Sequence, residues 1–313
     1  MTKSIEDIVR DGYRIWQKNT ILGIPFLFSA ILELCVLIAT LVFIIPILAF
    51  ITITDLVYVI DDLILKIFTI FPILFLLLCI VVTVLNIVKS FFIAGAVGMT
   101  RTAIETGRTS LNDMIKYGKN KFLYIFIMHM IIFVLSITGI LLFVPSVMAF
   151  KINMFNLGIA MMIIAFFLFA LYLTGLAIIM IMFPFSIVFK NLSPINAIKD
   201  NYSIIMENKL SVLFLFFVSH GLIWAINLLL DPILSFFGII PLLGSVINLG
   251  IVILYILFLV GIVTPLITVW WACLYLDRAG IKPREVPEEI PPEVPVPILG
   301  EQIKEKIQGH IYL

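Results

Sequence analysis

The sequence predicts an all-α polytopic membrane protein with six transmembrane helices. Three observations predict this class: 63% of the 313 residues are apolar, only 12% are charged, and one serine-led pattern occurs three times before long apolar stretches. Soluble domains contain about 45 to 50% apolar residues, so this composition indicates a bilayer as the surrounding solvent. A bilayer protein has membrane lipids as expected partners, and the net charge of +1 predicts no nucleic-acid partner.

The serine-led pattern reads SIEDIVRDG from Ser4, SLNDMIKYG from Ser110 and SPINAIKDN from Ser193. Serine is a preferred N-cap residue, and the Asp or Asn at +3 resembles the second member of a capping box. Ser4, Ser110 and Ser193 are therefore predicted to be helix caps. Because each copy precedes two apolar stretches, we predict an internal repeat of one interfacial amphipathic helix followed by two spans.

Six apolar stretches have the about 20 residues that a helix needs to cross a hydrocarbon core about 30 Å thick. They cover residues 21–50, 71–99, 121–147, 157–183, 209–230 and 245–275. We therefore predict a membrane domain over residues 1–278, composed of repeats 4–109, 110–192 and 193–278.

The distribution of lysine and arginine predicts the orientation. The loops on one side of the predicted membrane hold only Lys66 and Lys151, whereas most of the other basic residues lie on the side of both termini. Short loops rich in lysine and arginine stay in the cytoplasm. We therefore predict a multi-pass protein of the cell membrane with cytoplasmic N- and C-termini.

Two charged residues, Glu33 and Lys89, fall inside predicted spans. Each lies about 18 to 20 Å along its helix from the cytoplasmic end, at about 1.5 Å per residue. An unpaired charge at that depth costs about 2.5 to 3.5 kcal/mol, so we predict an ion pair between them. The pair either fixes the register of the two helices or forms part of a path for a substrate.

Two histidines, His129 and His220, are further polar candidates inside the spans. Neither has a partner in a metal-ligand spacing, and Cys35, Cys79 and Cys273 also lack paired spacing. We therefore predict no metal, no cofactor and no disulfide. A single histidine in a membrane helix is expected to bond a neighbouring helix.

Residues 279–313 form a cytoplasmic tail of different composition, with prolines at 283, 287, 291, 292, 295 and 297 among glutamates. Such a segment is predicted to be an extended spacer. The final GEQIKEKIQGHIYL has isoleucines at helical spacing, which leaves two interpretations open, a frayed end or a short helix that binds a protein partner.

Three segments carry a family resemblance: SLNDMIKYGKNKFLYIF, FPFSIVFKNLSPINAIKDNYSIIMENKLSVLFLF and WWACLYLDRAG. They resemble the membrane domain attached to some bacterial glycerophosphodiester phosphodiesterases and its stand-alone archaeal and bacterial relatives. The resemblance covers residues 4–278 and implies six spans without assigned chemistry. In the fused enzymes the hydrolytic residues belong to a separate soluble barrel, so the resemblance does not imply a phosphodiesterase here.

Three functions stay open at this stage. A non-enzymatic scaffold or partner-binding module leads, because repeats, interfacial helices and a tail require no polar site. A transporter or channel for a small or lipidic solute is the alternative, suggested by Glu33, Lys89 and the polar break around Asp231. An intramembrane enzyme ranks last, because the sequence offers no grouping of acid, base, nucleophile or metal ligands.

Overall fold

The computed structural model describes residues 3–57, 63–152, 154–238, 240 and 243–281. Within these ranges the chain is helical and contains no β-strand. Six helical stretches are long and apolar enough to cross a membrane: Thr20–Val42, Cys79–Thr106, Leu111–Lys151, Phe155–Phe189, Lys209–Gly238 and Leu243–Arg278. The predicted fold class, an all-α polytopic membrane protein, is confirmed.

Eleven α-helices are present in the described part of the chain. They are α1 Ile5–Lys18, α2 Ile24–Val57, α3 Leu63–Thr106, α4 Leu111–Thr138, α5 Val144–Lys151, α6 Phe155–Met180, α7 Phe183–Phe189, α8 Pro194–Glu207, α9 Lys209–Gly238, α10 Leu243–Phe258 and α11 Thr264–Arg278. Short helical turns at Thr20–Gly23, Gly139–Phe143 and Leu259–Val263 join neighbouring helices. The tail beyond residue 281 lies outside the described residues.

Each of the three pattern serines stands immediately before a helix. Ser4 precedes α1 and its Oγ accepts a hydrogen bond of 3.1 Å from the backbone N–H of Asp7. Ser110 precedes α4, where the Asp113 carboxylate accepts from the Ser110 backbone N–H at 2.9 Å. Ser193 precedes α8 without a side-chain bond to the helix, and Pro194 takes the first helical position. The serine pattern thus marks helix starts through three different local arrangements.

The three serine-led helices end differently. Helices α1 and α8 have 14 residues each. Asn19 and Asn208 follow them with non-helical backbone angles, φ −133° and −127° respectively. Helix α4 instead continues through 28 residues without a break. The predicted separation of a short helix from its span therefore holds for the first and third copies and is wrong for the second.

The most deeply packed part of the described molecule surrounds α7. All seven residues of α7 are buried. Trp271, Leu274 and Tyr275 of α11 are also buried and belong to the same apolar core. Helix α1 packs on α11, where the indole Nε1 of Trp270 donates to the Val9 carbonyl at 3.1 Å. The last span therefore contacts α1 through Trp270 and α8 through the Tyr275 hydroxyl, which donates to Asp200 at 2.7 Å.

Candidate functional site

A carboxylate with three donors lies where α7, α8 and α11 meet. The Lys190 ammonium lies 2.5 Å from Oδ1 of Asp200. Oδ2 of the same carboxylate accepts from the Tyr275 hydroxyl at 2.7 Å and from the Ser186 hydroxyl at 2.9 Å. We call Ser186, Lys190, Asp200, Asn201 and Tyr275 the Asp200 cluster.

Asn201 extends the Asp200 cluster into the core. Its side chain is fully buried, its Oδ1 lies 2.5 Å from Ser186 Oγ, and its Nδ2 has no hydrogen-bond partner among the described residues. Ser186 has one hydroxyl proton, so it cannot donate to Asn201 and Asp200 together. Turning the amide over lets Nδ2 of Asn201 donate to Ser186 and leaves the serine proton for Asp200. The network then runs from Asn201 through Ser186 to Asp200.

The surroundings of Asp200 favour its charged form. Partial burial opposes ionisation, but the hydrogen bonds from Lys190, Tyr275 and Ser186 together outweigh it and hold the pKa of Asp200 below its usual value. The Lys190 ammonium also lies 5.6 Å from the centre of the Tyr275 ring, an attractive cation–π distance. An ionised, fully coordinated carboxylate is a poor proton acceptor, so this geometry suits the joining of helices better than acid–base chemistry.

Arg101, near the end of α3, connects a further helix to α7. Its Nη1 donates to the Val188 carbonyl at 2.9 Å, and its Nε donates to the Glu105 carboxylate at 2.8 Å. The guanidinium lies 5.8 Å from the centre of the Phe189 ring. Arg101 therefore satisfies a backbone carbonyl at the end of α7 while its charge is balanced by Glu105.

The end of α11 also binds Lys3, which lies two residues before the start of α1. The backbone N–H of Lys3 lies 3.2 and 3.3 Å from the two carboxylate oxygens of Asp277. Arg278 donates to the Lys3 carbonyl at 3.2 Å and to the Ser211 hydroxyl at 3.1 Å. We call Lys3, Ser211, Asp277 and Arg278 the terminal clasp, because they join the start of α1, the start of α9 and the end of α11.

The predicted ion pair between Glu33 and Lys89 is not formed. Among the described residues, no nitrogen–oxygen contact within 4.0 Å joins these two side chains, and Lys89 is exposed. Glu33 instead accepts a hydrogen bond of 2.6 Å from Ser29, one turn earlier on α2. Equal depth along two helices does not by itself place two side chains in contact, because the rotation of each helix about its axis also decides which neighbours a side chain meets.

His129 joins α4 to α3. Its Nδ1 lies 2.7 Å from Ser90 Oγ, and Ser90 donates its own proton to the Asn86 carbonyl at 2.6 Å. Ser90 must therefore accept from His129, which places a proton on Nδ1. The ring also contacts Phe183 edge to face at 5.5 Å. This is a neutral contact between packed helices.

Within the described part of the chain, His220 bonds its own helix. Its Nδ1 lies 2.9 Å from the Phe216 carbonyl, and its ring packs 4.0 Å from the Phe216 ring. A carbonyl oxygen only accepts, so Nδ1 carries the proton here too. In the described ranges, no three His, Cys, Asp or Glu side chains form a group able to hold a metal ion.

The sequence predictions missed the Asp200 cluster. One signal was present: Asn201 is spaced four residues after Ala197 and three before Ile204, so it shares their helix face. A polar residue on the apolar face of a helix indicates a buried partner. Tyr275 lies within the LYLDR segment that carried the family resemblance, but nothing in the sequence indicates that it meets Asp200.

The fold and these contacts define the class of the protein as an integral membrane protein with six candidate spans. Comparison with protein-family models, curated proteins and solved structures finds no match. The resemblance to the phosphodiesterase-associated membrane domain therefore stays an expectation.

Proposed function

We propose that the chain is a non-enzymatic membrane scaffold that presents its serine-led helices to a protein partner at the cytoplasmic face of the cell membrane. The observation that carries this proposal is the attachment of α1 and α8 to one span. The terminal clasp and Trp270 hold α1 against α11, and Asp200 holds α8 against the same helix. Because both helices are attached to the same span, the surface that α1 and α8 form suits binding of a partner better than a conformational change.

The burial pattern of the short helices supports an interfacial position. In α1, Ile8 and Gly12 are buried, whereas Glu6, Arg10 and Arg14 are exposed. Helices with one apolar and one charged face lie at the boundary between headgroups and acyl chains. We propose the same position for α8, and we propose that the three serine-led segments are copies of one unit.

Transport of a small or lipidic solute is the second candidate function. It rests on Lys89, which is exposed at membrane depth and has no ion-pair partner among the described residues. Against it, several hydroxyl groups in the spans donate to their own helix backbone, as Thr40 does to Val36 and Thr83 to Cys79, both at 2.7 Å. Hydroxyls engaged in this way contribute little to a polar path.

Site-specific photo-crosslinking in intact cells tests the scaffold proposal. A photoreactive amino acid at Tyr202, which is exposed on α8, is expected to capture one discrete protein. The same group at Leu171, exposed on α6, is the matched control and is expected to capture lipid alone. A truncation after Ile281 then shows whether the partner needs the tail. Absence of a protein adduct at Tyr202, with solute flux into proteoliposomes that is lost in Lys89→Gln, would favour transport.

Cysteine labelling in sealed vesicles tests the proposed orientation. Lys116→Cys and Lys199→Cys are expected to react from the same side as the N-terminus, and Lys151→Cys from the opposite side. All three positions are exposed, so each label reports the side of the membrane and not burial. Labelling of positions 116 and 199 from opposite sides would contradict both the orientation and the proposed repeat.

A further inference from the structure

An apolar groove of about 440 Å³ lies between α2, α3 and α4. Among the described residues its walls are Leu32, Ile87, Val88, Phe91, Phe92 and Phe122, and Lys119 is the one charged residue that lines it. Leu32 and Ile87 are each 43% exposed, so the groove opens on the outer surface of the helices. This surface faces acyl chains in a bilayer.

The groove has a polar end and an apolar end. Helix α3 runs towards the side that carries the N-terminus, so Ile87 lies about 7 Å deeper than Phe92 at about 1.5 Å per residue. The rings of Phe28 and Phe92 are stacked with their centres 6.3 Å apart, and they join α2 to α3 nearer the outer end of the groove than Ile87. Lys119 lies in the first half of α4, near the end of the helix on the side of the N-terminus, and forms the outer end of the groove.

The positive charge at the outer end of the groove is not paired with an acidic side chain among the described residues. Lys119 and Lys116, one turn apart on α4, are both exposed, and neither takes part in the ion pairs found among the described residues. A long lysine side chain at this level extends its ammonium to the headgroup region. Anionic headgroups are attracted to such lysines, whereas zwitterionic headgroups carry no net charge to complement them.

We propose that this groove binds an anionic phospholipid of the cytoplasmic leaflet, with part of one acyl chain between α2, α3 and α4 and its phosphate beside Lys119. The apolar walls bind the chain and the lysine selects the headgroup. Charge complementarity at Lys119 distinguishes this occupant from a zwitterionic lipid. The inference depends on membrane insertion and is independent of the proposed scaffold function.

Native mass spectrometry of the full-length protein in mild detergent tests the proposal. The protein is titrated separately with dioleoyl phosphatidylglycerol and dioleoyl phosphatidylcholine. The wild type is expected to bind phosphatidylglycerol about fivefold more tightly, the contribution of roughly one lysine near an anionic lipid. Lys119→Gln is expected to remove that preference while leaving phosphatidylcholine binding unchanged.

Two further variants separate the headgroup contact from the chain contact. Leu32→Trp fills the groove and is expected to weaken binding of both lipids. Lys209→Gln removes an exposed lysine that does not line the groove, and it is expected to keep the wild-type preference. If Leu32→Trp does not fold, the comparison of Lys119→Gln with Lys209→Gln still tests the proposal. Both lysines are exposed, so neither substitution disturbs the packed interior.

Three results would overturn the proposal. They are equal affinity of the wild type for the two lipids, an undiminished preference in Lys119→Gln, and an equal loss in Lys209→Gln. Glycerol phosphate serves as a competitor without acyl chains. Displacement of phosphatidylglycerol by glycerol phosphate at equal concentration would assign the site to a free phosphate compound and also contradict the proposal.

Discussion

The first and third serine-led segments differ from the second in how their helices end. Asn19 and Asn208 each lie 15 residues after the pattern serine, and the corresponding residue of the second segment is Ile125. The Nδ2 groups of Asn19 and Asn208 donate to carbonyls one turn back, at 3.0 Å in both cases. An isoleucine offers no such bond, so α4 continues as one helix. A shared start signal therefore does not determine where the helix stops.

This difference has a consequence for packing. A short helix followed by a break needs its own attachment to the spans, and α1 and α8 have one each in the terminal clasp and the Asp200 cluster. Helix α4 is continuous with its span and is held by that continuity. Stability should therefore depend strongly on polar contacts at the first and third segments and weakly at the second.

The largest expected effect comes from Asp200→Ala. The change leaves the buried Tyr275 and Ser186 and the half-buried Lys190 without their shared acceptor, and it removes the polar attachment of α8. We expect a loss of about 2 to 4 kcal/mol in the free energy of unfolding, because unsatisfied buried partners cost more than the bond itself contributes. Unfolding in dodecyl maltoside micelles titrated with sodium dodecyl sulfate measures this difference.

Asp113→Ala in the second segment is the matched control for Asp200→Ala. Among the residues that the structure describes, Asp113 bonds the local cap of α4 alone, through the Ser110 and Thr109 side chains and the Ser110 backbone. We expect a loss of about 1 kcal/mol, in the range of a helix cap. Equal losses in the two variants would contradict the contrast between the segments.

Lowering the pH gives a second measure of how much the ionised Asp200 contributes to the free energy of unfolding. The folded-state pKa lies below the ordinary value of 3.8, so the cluster stabilises the fold at neutral pH. That stabilisation is lost as the pH falls below about 4 and through the lowered folded-state pKa. Between pH 6 and pH 3 the wild type is expected to lose more stability than Asp200→Asn, which cannot ionise.

Asn19→Ala is expected to be more damaging than Asn208→Ala. Asn19 is buried and also donates to the Gly107 carbonyl at 3.1 Å, while its Oδ1 accepts from the Thr109 N–H at 3.1 Å. Its loss breaks the attachment of α1 to the α3–α4 connection as well as the helix end. At about 0.5 to 1.5 kcal/mol per hydrogen bond, we expect about 2 to 3 kcal/mol for Asn19→Ala and about 1 kcal/mol for Asn208→Ala.

Detergent unfolding of the two asparagine variants, side by side, measures this ranking. Thr174→Ala is a suitable control, because the exposed Thr174 hydroxyl donates to the Ala170 carbonyl of its own helix and to no other described residue. That variant is expected to change the free energy of unfolding by less than about 0.5 kcal/mol. Equal effects of Asn19→Ala and Asn208→Ala would show that the helix break alone, without the contact to α3, determines the cost.

Gly12, eight residues after Ser4, lies where α1 packs closely on α11, unlike a glycine on an open helix surface. A Cβ at Gly12 would lie 2.6 Å from Cδ1 of Trp270, closer than van der Waals contact permits. Gly12→Ala is expected to destabilise by about 1 to 2 kcal/mol, because overpacking exceeds the roughly 1 kcal/mol gain in helix propensity. Gly175→Ala, with no atom within 4 Å of its Cβ, is expected to stabilise. A neutral or stabilising Gly12→Ala would show that α1 moves readily on α11.

The sequence predicted the spans and the three helix starts, because these depend on composition and on residues at local spacing. It did not predict the Asp200 cluster, since Asp200 and Tyr275 are 75 residues apart and lie on different helices. The ion pair expected for Glu33 and Lys89 was wrong for a related reason. Helix length fixes the depth of each side chain, but rotation about the helix axis and the local bond from Ser29 determine its contacts.

The smallest expected effect is the difference in stability loss between Ser4→Ala and Ser193→Ala, two serines that each precede a helix. Ser4 accepts from the Asp7 N–H at 3.1 Å and donates to its carboxylate at 2.7 Å, whereas Ser193 makes no side-chain bond to α8. Ser4→Ala should therefore cost about 0.5 to 1 kcal/mol and Ser193→Ala almost nothing, because Pro194 already removes one unsatisfied N–H and fixes the first turn. Paired unfolding titrations of the two variants check this difference. A larger loss in Ser193→Ala would mean that its hydroxyl contributes to the fold through a contact other than the helix cap.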